Sequence, residues 1–339
     1  MMRDWKTRAV IAIVLMVAVV ASGRLYGAQN SATDENRIRI GWVAAASWVP
    51  WATLEQELPD GTTVELVPFK SSNDELTALS NGSIDMAPVG YNNVAALLTS
   101  GTPPVTFVSG ISGNGSVFLA RPDSGIQSWE DLRGKRIGSV RGSTQYVNLA
   151  TGMKAHGLDI ETDATYVNMQ AFPDLNLALE RGDVDAIVTF PPLSGEAEEA
   201  GSGVTVEEIQ SEIYDGSFSV ASGILANNTF LEQRREDAET VLGAYYRQME
   251  TLRADPQRWE EEFAAVTGSS GAGIADALER EYIRAETVMP MSEIVSVPAV
   301  LSQMGIIDQD TGDQLAELLD YSLLESITDE SAEQLGKNE

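Results

Sequence analysis

The phrase Leu79-Ser80-Asn81-Gly82-Ser83-Ile84-Asp85-Met86 returns later in the chain as Leu179-Glu180-Arg181-Gly182-Asp183-Val184-Asp185-Ala186. Each copy reads as the last turn of a helix, a glycine stop and the start of a buried strand. Such a chain must bury a sheet beneath helices, and the repetition means that it does so twice. Around the first copy the order is a strand from Arg37 to Val43, a helix from Pro50, a strand from Thr62 to Phe69 and a helix from Asn73 to Leu79. A strand from Ile84, expected to end near Ala87 because of Pro88, and a helix from Asn92 to Leu98 follow. This alternation implies a mostly parallel sheet with helices on both faces, and ligands of such sheets sit beyond the carboxyl ends of the strands. The loops Ala44 to Trp48 and Val89 to Asn92 then share one rim.

From Arg121 the pattern restarts, and its centre is Gly138-Ser139-Val140-Arg141-Gly142-Ser143-Thr144-Gln145-Tyr146. A strand, Lys135 to Val140, ends here, and Tyr146, Val147, Leu149, Ala150 and Met153 recur beyond it at helical spacing. Gly142 permits a tight turn, and Ser143 or Thr144 can cap the helix. The first helical N–H groups have no partner inside the helix, so they and the positive end of its dipole make a seat for a small anion. An ordinary capped helix accounts for this stretch equally well when it is taken alone. From Thr229 onward the chain reads as helices at Thr229 to Ala254, Pro256 to Val266, Ile274 to Val288, Val297 to Met304 and Thr311 to Leu324, expected to pack on the first unit.

With 339 residues, 43% of them hydrophobic, the chain is long enough for about two domains. Its 51 acidic against 22 basic residues leave a net charge of -29, which repels nucleic acid and anionic membranes. Cysteine is absent, which excludes disulfides, thiolate metal sites and a cysteine nucleophile. The single histidine, His156, precedes Gly157 and reads as the C-terminal residue of a helix. No catalytic residue, metal site or cofactor is expected. Arg3, Lys6 and Arg8 precede an apolar run from Ala9 to Ala21 and the small residues Gly27 and Ala28, a pattern that reads as a signal peptide over 1–28 cleaved near Ala28. The run is short for a membrane span.

Three stretches together carry a family resemblance. They are Ala78 to Asp85 followed by Val89-Gly90-Tyr91-Asn92, then Ser128-Trp129-Glu130-Asp131-Leu132-Arg133-Gly134-Lys135-Arg136-Ile137, then Arg181 to Ala186, all behind an export signal. In order and spacing they resemble the taurine, alkanesulfonate and nitrate (NMT1/THI5-like) group of substrate-binding proteins of ABC transporters, over residues 37 to 260. The resemblance implies an α/β fold of the periplasmic-binding-protein type (type II), with a ligand cleft between two lobes. Lobe 1 is expected to comprise residues 37–117 plus 220–339 and lobe 2 residues 118–219, with crossings near Gly115 to Arg121 and Asp215 to Ser222. It further implies a monomeric, periplasmic receptor that hands a small organic anion, a sulfonate such as taurine or an alkanesulfonate, to an inner-membrane permease. A thiamine-pyrimidine precursor, nitrate or a phosphonate as ligand, and a sensor subunit as role, are the alternatives. An enzyme is not expected.

By the same resemblance the anionic head maps to Gly142, Ser143 and Thr144, with Gly90, Tyr91 and Asn92 facing them and Arg141 either adding charge or pointing away. Aromatic walls are expected from Trp48, Trp51, Tyr91, Tyr146, Phe172 and Phe190, some of which belong to core packing instead. Asp174 is the candidate acceptor for an ammonium group, and a surface acid at a helix start explains it equally. The returning strand offers Ala221-Ser222-Gly223 where an amine-binding relative is expected to carry a carboxylate, a departure that speaks against taurine itself.

Overall fold

The computed structural model describes residues 37–338, so the segment read as a signal peptide lies outside the described residues. The apolar positions of β1 (Ile38–Val43) alternate into the core, and this strand pairs in parallel with β2 (Val64–Phe69). Ser71 caps α1 (Ser72–Ser80), accepting the Asp74 N–H at 3.2 Å. The chain re-enters the sheet as β3 (Met86–Gly90) and leaves through α2 (Tyr91–Leu98) and β4 (Val105–Asn114). Contrary to the sequence expectation, β3 runs through Pro88 to Gly90. The strand that returns from the second unit pairs with it along its whole length, and this offsets one missing N–H.

The second unit consists of β5 (Val117–Ala120), β6 (Arg136–Ser139), α3 (Thr144–Ala155), β7 (Thr165–Asn168), α4 (Pro173–Arg181), β8 (Ala186–Thr189), α5 (Leu193–Glu199) and β9 (Val204–Thr205). Then β10 (Val220–Asn227) returns to the first sheet between β3 and β4. Strand orders are β11-β4-β10-β3-β1-β2 in the first sheet and β7-β6-β8-β5-β9 in the second, where β11 is Ile283–Ala285. Both sheets are mixed, because β10 and β5, the strands nearest the crossings, run antiparallel to β3 and β8.

The repeated phrase has a structural meaning that holds in both units. Gly82 and Gly182 end their helices at φ 75° and 74°, a region that favours glycine. Three residues on, Asp85 accepts the Arg39 N–H at 2.7 Å and the Arg39 Nη2 at 2.7 Å. Asp185 does the same for Arg136, at 2.9 and 2.6 Å. Each acid therefore locks the entry of one central strand to the start of its neighbour.

Beyond β10 the chain departs from its sequence pattern. The long helix expected from Thr229 divides at Arg234 into Asn228–Gln233 and α6 (Arg235–Arg253). α7 (Pro256–Thr267) follows, and the helix expected from Ile274 stops after α8 (Ile274–Glu279). There Glu281 turns the chain at φ 55° into β11 on the edge of β4. A further helix, α9 (Met291–Gln303), covers the first lobe. The expectation that all these helices serve lobe 1 holds only in part. Trp259, Phe263, Ile274 and Ala277 share a buried cluster with Val117, Leu119, Leu175 and Ile187 of the second unit. None of the helices among the described residues is long and apolar enough to cross a membrane.

Candidate functional site

β6 ends at Ser139, and the chain turns through Gly142, at φ 81°, into α3. Ser143 is the N-cap. Its hydroxyl accepts the Tyr146 N–H at 3.1 Å and its carbonyl accepts the Val147 N–H at 3.0 Å. The amides of Thr144 and Gln145 stand at the first two helical positions, where no carbonyl lies behind them. The dipole of the twelve-residue helix adds about half a positive charge at this end.

Two hydroxyls that sequence reasoning missed end the neighbouring strands. Ser139 Oγ and Thr189 Oγ1 are buried and have no hydrogen-bond partner. β6 and β8 are parallel neighbours with Gly138 opposite Ile187, so both residues stand at the carboxyl ends of adjacent strands but one position out of step, and alternation sends their side chains to opposite faces of the sheet. Ser139 shares the face of Ile137, which packs with Tyr146 and Leu149 of α3, and Thr189 the face of Ile187, which packs with Leu175 of α4. A buried unpaired hydroxyl costs about 1–3 kcal/mol, so Ser139, on the face that carries α3 and its free amides, marks a place suited to a polar ligand. The sequence signal was present: each of these apolar strands ends on a hydroxyl residue.

Arg141 is engaged locally. It pairs with Glu161 at 2.6 Å, donates to the Tyr146 hydroxyl at 3.1 Å and lies over the Tyr146 and Tyr166 rings at 5.1 and 4.7 Å. The hydrogen bond to Glu161 raises the guanidinium pKa further. Tyr146 is buried in the second-lobe core, and burial raises its phenol pKa. Phe190, directly after Thr189, meets Phe172 edge-on at 4.7 Å, and both are half-buried. Asp174 is exposed in the first turn of α4.

On the first lobe, Gly90 is the N-cap of α2, and a Cβ there would meet Asn92 Oδ1 at 2.5 Å and Asn93 Oδ1 at 2.6 Å. These amide side chains thus fold over the Gly90 backbone and would have to swing aside for a larger residue. Tyr91 is fully buried against Phe107 at 4.7 Å. Trp51 is buried too, donating to the Gly41 carbonyl at 2.9 Å. The Trp48 indole donates to Ser222 Oγ at 3.2 Å, and Ser222 in turn bonds Ser112 at 2.9 Å. The structure therefore gathers Arg141 to Thr144 and Phe190 on the second-lobe rim and Gly90 and Asn92 on the first, and it places Tyr146 in the second-lobe core. It places Trp48 and Tyr91 in the first-lobe core.

Between the rims lie the two connections, Gly115–Ser116 and the segment before Val220. Asn148, buried on α3, donates to Ser116 Oγ at 2.9 Å and accepts from Ser217 Oγ at 2.7 Å, so it touches both. Gln210 accepts the Phe118 N–H at 2.9 Å and donates to the Ser116 carbonyl at 3.0 Å. Two surface hollows, of about 260 Å³ near Arg121 and Ser202 and about 220 Å³ near Val295 and Gly312, lie away from this region.

Comparison with known proteins identifies the family and the fold. The family model described as NMT1/THI5 like matches residues 59–259. A Bacillus subtilis (strain 168) protein named for binding aliphatic sulfonates is 25% identical over 321 residues, covering 90% of this chain and 89% of its own. The crystal structure of the periplasmic aliphatic sulphonate binding protein of Escherichia coli superposes with a TM-score of 0.70 at 19% identity, covering 83% of this chain and 91% of that one. The alkanesulfonate-binding protein of Xanthomonas axonopodis pv. citri, bound to MOPS, gives 0.67 at 20% identity, covering 84% and 98%.

Proposed function

The chain belongs to the NMT1/THI5-like family as a binding protein and not an enzyme, and from that premise we propose that it is the extracytoplasmic receptor of an ABC importer for aliphatic sulfonates. The observation that carries this reading is the buried, unpartnered Ser139 hydroxyl on the sheet face that carries α3, together with the free amides of Thr144 and Gln145 at the start of that helix. A sulfonate offers three acceptor oxygens and a single negative charge, which these donors and the helix dipole match without a free guanidinium. Arg141 is already paired with Glu161, an arrangement that favours a monoanion over a dianionic phosphonate. The half-buried Phe172–Phe190 pair supplies an apolar wall for an alkyl chain. Residues 37–117 plus 220–339 and residues 118–219 act as the two lobes. Closure about their connections presents the loaded form to the permease. The basic and apolar N-terminal pattern and the periplasmic E. coli relative support export.

The test is titration calorimetry with a thermal-shift screen over methanesulfonate, longer alkanesulfonates, MOPS, taurine, sulfate, nitrate, phosphonates and pyrimidines. A micromolar alkanesulfonate corresponds to about 8 kcal/mol. At a hundredfold excess over Kd it should stabilise the fold by about 2.7 kcal/mol. Ser139→Ala should weaken binding by about tenfold, the loss of about 1.4 kcal/mol in one hydrogen bond. Sulfonate binding unchanged in that variant, or a response to pyrimidines alone, would overturn the reading.

A further inference from the structure

We propose that His156, Glu212 and Asp215 form a binding site for a divalent transition-metal ion of the zinc class, outside the ligand cleft. The sequence reads His156 as a helix C-cap, and so it is. Folding adds two carboxylates to it from another segment. His156 Nε2 lies 3.4 Å from Glu212 Oε2 and 3.7 Å from Asp215 Oδ2, and donor atoms of the three residues all fall within 4.8 Å of one another. Ligands bound at 2.0–2.1 Å around a tetrahedral zinc stand about 3.3 Å apart, so the observed spacing needs only small side-chain adjustment.

Two further observations separate this cluster from a chance meeting of surface charges. The Nε2 atom is itself buried and makes no hydrogen bond although both carboxylates are near it. At 3.4 and 3.7 Å the two carboxylate oxygens are too far for a good hydrogen bond to it, which leaves the nitrogen available as a ligand. The imidazole orientation is also fixed. Trp129, buried, stacks on the ring at 4.8 Å and 10°, and its indole N–H donates to Glu212 Oε2 at 2.9 Å. Outer groups that orient a histidine and a carboxylate together are characteristic of metal sites. One imidazole with two carboxylates suits zinc better than calcium or magnesium, which take oxygen ligands in larger number or keep their water.

The location gives the site a mechanical meaning. His156 caps the end of α3, while Glu212 and Asp215 lie on the segment that leads into the return connection. A bound ion would tie the last turn of α3 to the chain entering that connection, alongside the packing of Gly216 against Ala155.

Because the chain has one histidine and no cysteine, imidazole-dependent metal binding can have only one origin. The untagged chain, stripped with a chelator, is titrated with Zn²⁺ by calorimetry and with Co²⁺ by visible absorption, with Ca²⁺ and Mg²⁺ in parallel. The expected result is one saturable Zn²⁺ site whose affinity falls about tenfold or more in His156→Gln and in Asp215→Asn, together with a change in tryptophan emission on binding. The Asp215 side chain is 58% exposed, so Asp215→Asn keeps the test valid if His156→Gln disturbs folding. Zinc binding that survives both substitutions, that is no tighter than calcium, or that is absent would overturn the proposal.

Discussion

Glu75 provides a quantitative test of the first-lobe core. Its side chain is fully buried beneath β1 and β3, and neither carboxylate oxygen has a hydrogen-bond partner. The fit is tight enough that a Cβ on Gly41 would lie 3.0 Å from Glu75 Oε1. Burial raises the carboxyl from 4.5 to about 9, so the folded protein keeps this proton at neutral pH while the unfolded chain loses it. Between those two values the folded state binds more protons than the unfolded one. Stability contributed here is full below pH 4.5 and is lost as pH rises toward 9, at about 1.4 kcal/mol per pH unit. Glu75→Gln keeps the shape and removes the titration. From pH 5 to pH 8 the wild type should therefore lose about 4 kcal/mol relative to the variant. At the usual unfolding entropy per residue, for a chain of this size, that is on the order of 6 °C in Tm. Calorimetric melts or urea titrations of both proteins at fixed ionic strength measure it, and the difference between the two cancels the pH-dependent repulsion of the acidic surface. A gap between wild type and variant that stays constant from pH 5 to pH 8 would refute the reasoning.

The remaining predictions concern the repeated phrase and the contact between lobes. Asp185→Asn should cost about 1–2 kcal/mol at pH 6, discounted because Arg136 is 41% exposed. The Arg136 hydrogen bond holds Asp185 below its ordinary 3.8, so this contribution is present above that pH and lost as pH falls through the lowered value. Melts at pH 6 and pH 3 should show the cost shrinking at pH 3. Across the lobes, a Cβ on Gly195 would meet the Ala272 carbonyl and Gly273 Cα, each at 2.8 Å. Gly195→Ala should then cost about 1–3 kcal/mol, because the added methyl meets backbone already packed against it, and lower the Tm accordingly. An unchanged Tm in calorimetric melts would show that residues 272–273 yield to the methyl without cost.

The parts of the fold legible in the sequence are those set by neighbours along the chain. Gly82 and Gly182 need left-handed backbone whatever surrounds them, and Ser143 caps α3 with its own hydroxyl. Where the partner lies far along the chain, periodicity shows that a face is apolar but not what covers it. α7 and α8 carry ordinary amphipathic patterns, and nothing local says that Trp259 and Ile274 join a cluster with Leu175 and Ile187. The stretch after Ile274 resembles a continuing helix, and only the open edge of β4 turns residues 283–285 into a strand. Within the site the same division holds. The helix start was readable, whereas the burial of Ser139 and Thr189 and the diversion of Arg141 to Glu161 depend on chain brought in from elsewhere.

α3 is where these separate features become one mechanical element. Its first turn offers the free amides, Asn148 in its middle holds both connections through Ser116 and Ser217, and His156 at its end faces Glu212 and Asp215. At 1.5 Å per residue these points span about 18 Å of a single rigid rod. Under the proposed function an anion seated at Thr144 would pull on the same body that holds the two connections, which couples ligand contact to lobe geometry. Asn148 is also the polar interruption in the stripe Tyr146, Val147, Leu149, Ala150 and Met153, and a buried amide bonded to both connections explains why that position is not apolar.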